Sequence, residues 1–268
     1  MPTREADGSS PTSRAAPLRL VLLTRGTSHG ATITEALRRA GLGLDGVIFE
    51  RRPPAALGSE LARMRRQQGV SGVARAVLRR LARSVAALRD RDHWSSVAFY
   101  ERRADQLRVV SSLNGEEAAA TLRELSPDVV ILGGVPILRG EILTVARLGT
   151  INAHPGLLPA YRGMDVIPWA VLNGDPVGVT VHLVDAGIDT GGILRQAELP
   201  IEHAASIEEL RAQAEELAGR LVVDTVRSAA EHGALMPLAA TGSVGRLYRA
   251  MGRRDLGRAA SMLRGSRR

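Results

Sequence analysis

The densest chemistry in this chain lies in Ile151–Gly163, INAHPGLLPAYRG. Asn152 and His154 stand two residues apart, and on an extended strand that spacing puts both side chains on one face. Thr180 and His182 repeat the pattern in VTVHLV, residues 179–184. The loop that follows, Asp185-Ala186-Gly187-Ile188-Asp189-Thr190-Gly191-Gly192, holds two carboxylates among small residues. Each piece alone says little, since strand-end histidines are commonly structural and Asp-Gly loops are commonly turns. Taken together they bring one amide, one imidazole and one carboxylate toward a common point. That set suits acyl transfer, in which amide and imidazole steady an oxyanion and the carboxylate tunes the imidazole. A metal site is not expected: no H-x-x-x-H or comparable spacing occurs, and the chain has no cysteine.

Such a site needs a scaffold, and the pattern of the chain supplies one. Leu18–Thr24 is a short aliphatic run that reads as a buried strand. A turn, Arg25-Gly26-Thr27-Ser28-His29-Gly30, leads to a helical pattern over Ala31–Ala40, and Gly46–Glu50 reads as the next strand. Further strands are expected at Leu107–Ser111, Asp128–Leu132, Gly149–Ala153, Val179–Val184 and Ile193–Ile201, with a helix at Glu116–Leu125. Ser206 and Glu209 have capping-box spacing and open a long helix from Ile207 to about Ala230. Strands alternating with helices predict an α/β fold: a Rossmann-like, open, mostly parallel sheet with helices on both faces. Ligands in such sheets sit outside the carboxyl ends of the strands. That rule singles out LGGVPIL after the strand at 128–132 and NAHPGLLP after the strand at 149–153. The first turn lacks G-x-G-x-x-G, so no dinucleotide site is indicated. Gly26, Thr27 and Ser28 at the helix start are still candidates for holding an anionic part of a substrate, although a plain tight turn fits them equally.

Charge is distributed by segment. Residues 51–103 hold 13 Arg against 4 acids, residues 104–240 hold 9 Arg against 18, and residues 241–268 hold 8 Arg against 1. All 36 basic residues are arginine, and the net charge is +8. Two basic segments flanking an acidic body suit local attraction of an anion better than a uniformly nucleic-acid-coated domain. Within the first, Val73, Val77, Leu78, Leu81, Val85 and Leu88 fall at helical spacing, interrupted by Arg75, Arg79, Arg80, Arg83 and Arg89. A packed surface helix, a membrane-surface helix and a flap over an anionic ligand all fit that pattern. Residues 1–17 are Ser/Pro-rich, with no hydrophobic stretch for a secretory signal, and read as a disordered leader. No apolar run approaches the roughly 18 residues of a membrane span, so a cytoplasmic protein is expected. The organisation predicted is a leader (1–17), a catalytic core (18–205) with a basic helical insertion (51–103), and a C-terminal helix and arginine-rich tail (206–268).

The motif Asn152-Ala153-His154-Pro155-Gly156-Leu157-Leu158-Pro159, followed by Arg162-Gly163, resembles the N-x-H-x-S-L-L-P…G signature of the tetrahydrofolate-dependent formyltransferases. The likeness continues through Gly178–His182 and Asp185–Gly191, with both motifs in the family's order and separation. The resemblance implies 10-formyltetrahydrofolate as formyl donor and co-substrate, with Asn152, His154 and Asp189 as the catalytic trio. It implies donor contacts with Pro136, Ile137 and Leu138, and with Asp185, Ala186 and Ile188. Asn152 and a protonated His154 would stabilise the oxyanion, Asp189 would raise the His154 pKa, Thr180 would lie near Asp189, and His182 would stand behind the trio. Arg162 joins Gly26, Thr27 and Ser28 as a substrate-binding candidate. One letter departs from the pattern: Gly156 replaces the usual Ser, which predicts a more flexible turn lacking one hydroxyl.

Too little chain follows Ala230 for the additional C-terminal domain of the family's methionyl-tRNA branch. The run Tyr161-Arg162-Gly163…Pro168-Trp169-Ala170…Asn173-Gly174-Asp175 resembles the sugar and secondary-metabolite branches. The expected acceptor is therefore a small-molecule amine, phosphorylated or nucleotide-linked if the basic insertion attracts it. The alternatives are a methionyl-tRNA or other RNA-binding protein on the same core, a formimidoyl transferase and a formyl-donor hydrolase. Few aromatic residues accompany the arginines, which weighs against single-strand recognition. The tail is assigned to contacts with a partner, a homodimer among them.

Overall fold

A computed structural model describes residues 17–51, 74, 77, 78, 93–202, 204–238 and 245–265. The expected leader lies outside these residues except for Pro17. So does the amphipathic helix over 73–88, except for Ala74, Val77 and Leu78, which are helical.

The strands are β1 (Leu20–Thr24), β2 (Leu44–Glu50), β3 (Ala104–Val110), β4 (Val129–Gly133), β5 (Gly149–His154), β7 (Val177–Leu183) and β8 (Ile193–Leu199). They form one sheet in the order β3-β2-β1-β4-β5-β7-β8. Pairings from β3 to β5 are parallel, while β7 runs antiparallel to β5 and β8 antiparallel to β7. LVLLT and VVILG are buried at every position, as central strands covered on both faces require. Two short strands, β6 (Tyr161–Gly163) and β9 (Arg246–Tyr248), make a separate parallel ribbon.

Helices cover both faces of the main sheet. On one side α1 (Ser28–Arg39) packs beside α5 (Ile207–His232), burying Ile33, Leu37, Leu210, Ala214, Ala218 and Val222 in one apolar cluster. On the other, α3 (Glu116–Leu125) inserts Ala118, Leu122 and Leu125 against Val21, Ile48 and Val130. The remaining helices are α2 (Val97–Glu101), α4 (Val166–Asn173) and α6 (Arg253–Gly265), with one 3-10 turn at Gly140–Leu143. Local signals set the helix ends. The Thr27 hydroxyl accepts from Gly30 N at 3.0 Å, and Ser206 accepts from Glu209 N at 3.1 Å. Glu209 returns its carboxylate to Ala205 N at 2.6 Å, one residue before the position of an ideal capping box.

The expected fold class is observed, with shifted boundaries. Helix α1 begins at Ser28, three residues before the apolar periodicity, because Thr27 caps it. Strand β3 begins at Ala104, because Gln106 and Arg108 tolerate an edge strand whose side chains are half exposed. Phe99 and Tyr100, from the expected basic insertion, are buried in the core next to Phe49. Strand β5 extends through His154, so the imidazole belongs to the strand and the turn begins after it.

Candidate active site

The chain reverses its direction of strand addition between β1 and β4. There the Thr24 and Thr27 hydroxyls both donate to Gly133 O, at 2.8 and 2.9 Å. The polar cluster lies two strands further along the sheet, where β5 meets β7. Antiparallel register sets Asn152 opposite His182 and His154 opposite Thr180. Residues directly opposite in such a pair share a face and sit about 4.5–5.5 Å apart at Cβ. The two spacing patterns seen in the sequence thus form the four corners of a single patch.

Each polar group in the patch has its orientation fixed by a neighbour. His182 Nδ1 donates to Leu183 O at 2.7 Å, which leaves Nε2 as an acceptor. Asn152 Nδ2 then donates to His182 Nε2 at 3.2 Å, so the amide nitrogen faces the cluster. His154 Nε2 donates to Tyr161 O at 2.8 Å. Its Nδ1 faces Asp189 Oδ2 at 3.5 Å, while Asp189 Oδ1 lies 3.6 Å from His182 Nε2. Gly163 N donates to Asp189 Oδ2 at 2.8 Å. Asp189 has φ 51°, a left-handed conformation that its short polar side chain tolerates. The loop carrying it returns so close to β7 that a Cβ on Gly191 would lie 1.8 Å from Leu183 O.

Burial lowers the His154 pKa below its usual value, and the Asp189 carboxylate and the Tyr161 carbonyl only partly oppose it. His182 is lowered by burial in the same way, opposed by Leu183 O and Asp189. Asp189 therefore acts in the expected direction, but desolvation outweighs it. His154 is neutral at neutral pH in this structure, not the expected imidazolium. A third imidazole joins them. His29 keeps part of its surface in solvent, yet desolvation of its ring, with His154 nearby, lowers its pKa to about 4 against a bond to Ala153 O. Nothing in the sequence around the Gly26–Ser28 turn marks this neighbour as part of the cluster.

Several expected roles change. Thr180 was expected near Asp189, but its hydroxyl braces the turn instead. It donates to Gly156 O at 2.7 Å and accepts from Leu158 N at 3.1 Å and Gln196 Nε2 at 2.8 Å. Arg162 is held in place by the chain itself: its guanidinium donates to Ile188 O at 2.8 Å and Gly245 O at 3.2 Å. Asp185 closes its own loop, accepting from Gly187 N at 2.9 Å and Thr190 Oγ1 at 2.6 Å. At the helix start Thr27 is an internal cap, and Ser28 Oγ donates to Glu215 Oε1 at 2.8 Å. Gly26 turns the chain with φ 65°. Of the donor-contact candidates, Ile137 is exposed and Leu138 buried, and Asn114 anchors their segment through Ile137 O at 3.0 Å and Arg139 N at 2.9 Å. Pro136 is half-buried between them and Gly134, and Ala186 is exposed beside the half-buried Ile188.

Gly156 is explained by space. A Cβ there would lie 2.9 Å from each of His154 Nε2, Tyr161 O and Val166 Cγ2. The missing side chain leaves room for the bond that orients His154, so the flexible-turn expectation is replaced by a packing one. Gly156→Ser is expected to lose about 1–3 kcal/mol through overpacking and to lower the His154 pKa further by loosening its carbonyl partner. Thermal unfolding and NMR titration of His154 check this, and an unaltered titration would contradict it.

Among the described residues, no group of three or more His, Cys, Asp and Glu is placed to hold a metal ion. No described helix is long and apolar enough to cross a membrane.

The chain is thus one of the open α/β folds that carry an amide–imidazole–carboxylate cluster, with the amide and imidazole near the end of β5 and the carboxylate on the loop after β7. A family model described as formyl transferase matches residues 19–226, and the chain belongs to that family. Similar curated proteins include the methionyl-tRNA formyltransferase of Synechococcus sp. (strain JA-3-3Ab), 44% identical over 124 residues, 46% of this chain and 38% of that protein. The corresponding protein of Koribacter versatilis (strain Ellin345) is 42% identical over 115 residues, 42% of this chain and 37% of that protein. The match thus spans well under half the length of these relatives. Among solved structures, glycinamide ribonucleotide transformylase 1 from Symbiobacterium toebii aligns with TM-score 0.55 and 24% identity, covering 80% of this chain and 88% of that one. A sugar N-formyltransferase from Shewanella sp FDAARGOS_354 aligns with TM-score 0.55 and 16% identity, covering 91% and 87%. These structural likenesses share the fold.

Proposed function

We propose that this chain is an N-formyltransferase that moves a formyl group from 10-formyltetrahydrofolate to an amine. The observation that carries the reading is the cluster itself: Asn152, His154 and His182 arranged around the Asp189 carboxylate within 3.2–3.6 Å of their partners. Asn152 has one amide hydrogen engaged by His182 and a second to donate to an oxygen on which negative charge develops. Neutral His154 and the Asp189 side chain together hold or pass the proton that an attacking amine must lose. Burial of His154 keeps bulk water from competing for those contacts.

The residues present fit the donor. Val135, Leu138 and Val184 belong to one apolar cluster, which brings the 135–138 segment and the start of the Asp185 loop to the same side of the sheet. Pro136, Ile137 and Leu138 would hold one edge of a flat ring, and Asp185, Ala186 and Ile188 the other. The donor supplies the activated formyl group.

For the acceptor, the sequence matches favour the amine of methionyl-tRNA over the amino-sugar or secondary-metabolite amine suggested by the Tyr161–Asp175 run. Glu215 beside Ser28 weighs against an acceptor phosphate seated at the start of α1. Purified protein incubated with 10-formyltetrahydrofolate and, separately, methionyl-tRNA or a panel of amino sugars and nucleotide-linked amino sugars tests the reading by mass spectrometry of the formamide. Calorimetry with the 5-formyl analogue tests donor binding. Formate released without acceptor would indicate a hydrolase, and absence of donor binding would overturn the proposal.

A further inference from the structure

The arginine-rich tail supplies no group to the proposed chemistry, yet it reaches the residues that hold the trio. Strand β6 makes three successive contacts with the site. Tyr161 O accepts from His154, Arg162 Nε donates to Ile188 O, and Gly163 N donates to Asp189, each at 2.8 Å. A three-residue strand cannot hold itself, since even an isolated hairpin is marginal in water. Among the described residues its only strand partner is β9, in the register Tyr161↔Arg246, Arg162↔Leu247, Gly163↔Tyr248.

We propose that the C-terminal strand Arg246–Tyr248 is a positioning element of the catalytic centre, with Tyr248 as its anchor: β9 holds β6, and β6 holds His154 and Asp189. This rests on the formyltransferase reading above. The Tyr248 ring stacks on Tyr161 at 5.0 Å and 10° between planes, with Trp169 at 5.5 Å. Asn173 Nδ2 donates to both tyrosine hydroxyls, at 2.9 and 3.3 Å. Met164 N donates to Tyr248 O at 3.0 Å, and Trp169 Nε1 donates to Arg249 O at 2.9 Å. Gly163 permits the approach, because a Cβ there would lie 2.2 Å from Tyr248 O. Beyond the strand, Asp165 Oδ2 accepts from Met251 N at 2.9 Å, and α6 buries Ala259 and Leu263 in the same cluster as Tyr161 and Val166. With Gly245 O held by Arg162 just before the strand, the tail is fastened on both sides of β9, and removing its anchor loosens a strand whose other side touches the reacting groups.

A misplacement of about 1 Å costs on the order of a hundredfold in rate, so Tyr248→Ala should lower kcat by roughly ten- to a hundredfold. Donor affinity should be unchanged, and His154 should titrate at lower pH because its Tyr161 contact is loosened. Tyr248→Phe keeps the stacked ring and should stay near wild type in both readouts. Should Tyr248→Ala fail to fold, Tyr248→Leu supplies apolar volume without the stack and is expected to behave like it. Arg253→Gln and Arg254→Gln, on the exposed face of α6, should leave kcat unchanged. The proposal is overturned if Tyr248→Ala and Tyr248→Leu leave kcat and the His154 titration unaltered. It is equally overturned if only the arginine variants lower kcat, which would make the tail a charged surface for the acceptor. NMR titration of His154 needs no turnover. If the wild type transfers no formyl group to any acceptor, the formyltransferase reading fails while the titration of these variants still decides whether β9 holds His154.

Discussion

Asn152→Ala is expected to lower kcat for formyl transfer by roughly 10²–10³-fold, the usual cost of one oxyanion donor, with little change in donor affinity. The expectation follows from how the amide is held. His182 is fixed by its bond to Leu183 O, and it receives one Asn152 N–H at 3.2 Å. The amide is thus oriented before any ligand arrives, and its second hydrogen needs no reorganisation to meet developing charge. Alanine removes that donor and leaves the Nε2 acceptor of His182 unmet, without disturbing Ile151 or Ala153, which are buried on the opposite face of β5. Steady-state kinetics and calorimetry on the variant separate the effects. A variant that binds the folate analogue normally and turns over within a fewfold of wild type would remove Asn152 from the chemistry.

Most of the scaffold was legible because its signals are local. LVLLT, DVVIL and the capped helix after Ser206 carry burial, period and termini within a few residues. The Asn152/His154 and Thr180/His182 spacings likewise placed each pair on one face. What they could not state is register. Only the antiparallel pairing of β5 with β7 sets His182 across from Asn152 and Thr180 across from His154. The same register turns Thr180 to the 156–158 turn instead of toward Asp189. Contacts between distant segments were equally invisible. Nothing near Tyr161 announces that residues 246–248, more than 80 positions later, pair with it, nor near Gly156 that its missing Cβ makes room for a bond from His154 to Tyr161. His29 carries no such local signal, because only folding brings it to Ala153 and His154.

Asp189→Asn should have the broader effect, because the carboxylate serves three neighbours at once. It lies 3.5 Å from His154 Nδ1 and 3.6 Å from His182 Nε2, and accepts from Gly163 N at 2.8 Å. Asparagine preserves the shape and retains an acceptor for Gly163, but removes the charge. Loss of a positioned proton-transfer partner typically costs 10²–10⁴-fold, and kcat should fall within that range. The pH dependence follows from the same contact. In an unfolded chain His154 takes up a proton near the ordinary value of about 6.5; in the folded protein burial holds it lower, with Asp189 pulling upward. Removing the charge lowers the folded value further, so the acid limb of kcat/KM moves to lower pH in the variant. Stability shifts with it. Above pH 6.5 neither state carries the proton and His154 contributes nothing; as pH falls below that point the unfolded chain is protonated first, and stability declines until the folded imidazole titrates too. Because the folded value lies lower in Asp189→Asn, that declining window is wider, and the variant has lost more stability by the time its folded imidazole titrates. NMR titration of His154 and thermal unfolding between pH 4 and 7 measure both consequences. An unmoved titration together with near-wild-type kcat would show that Asp189 neither tunes His154 nor shares in proton transfer.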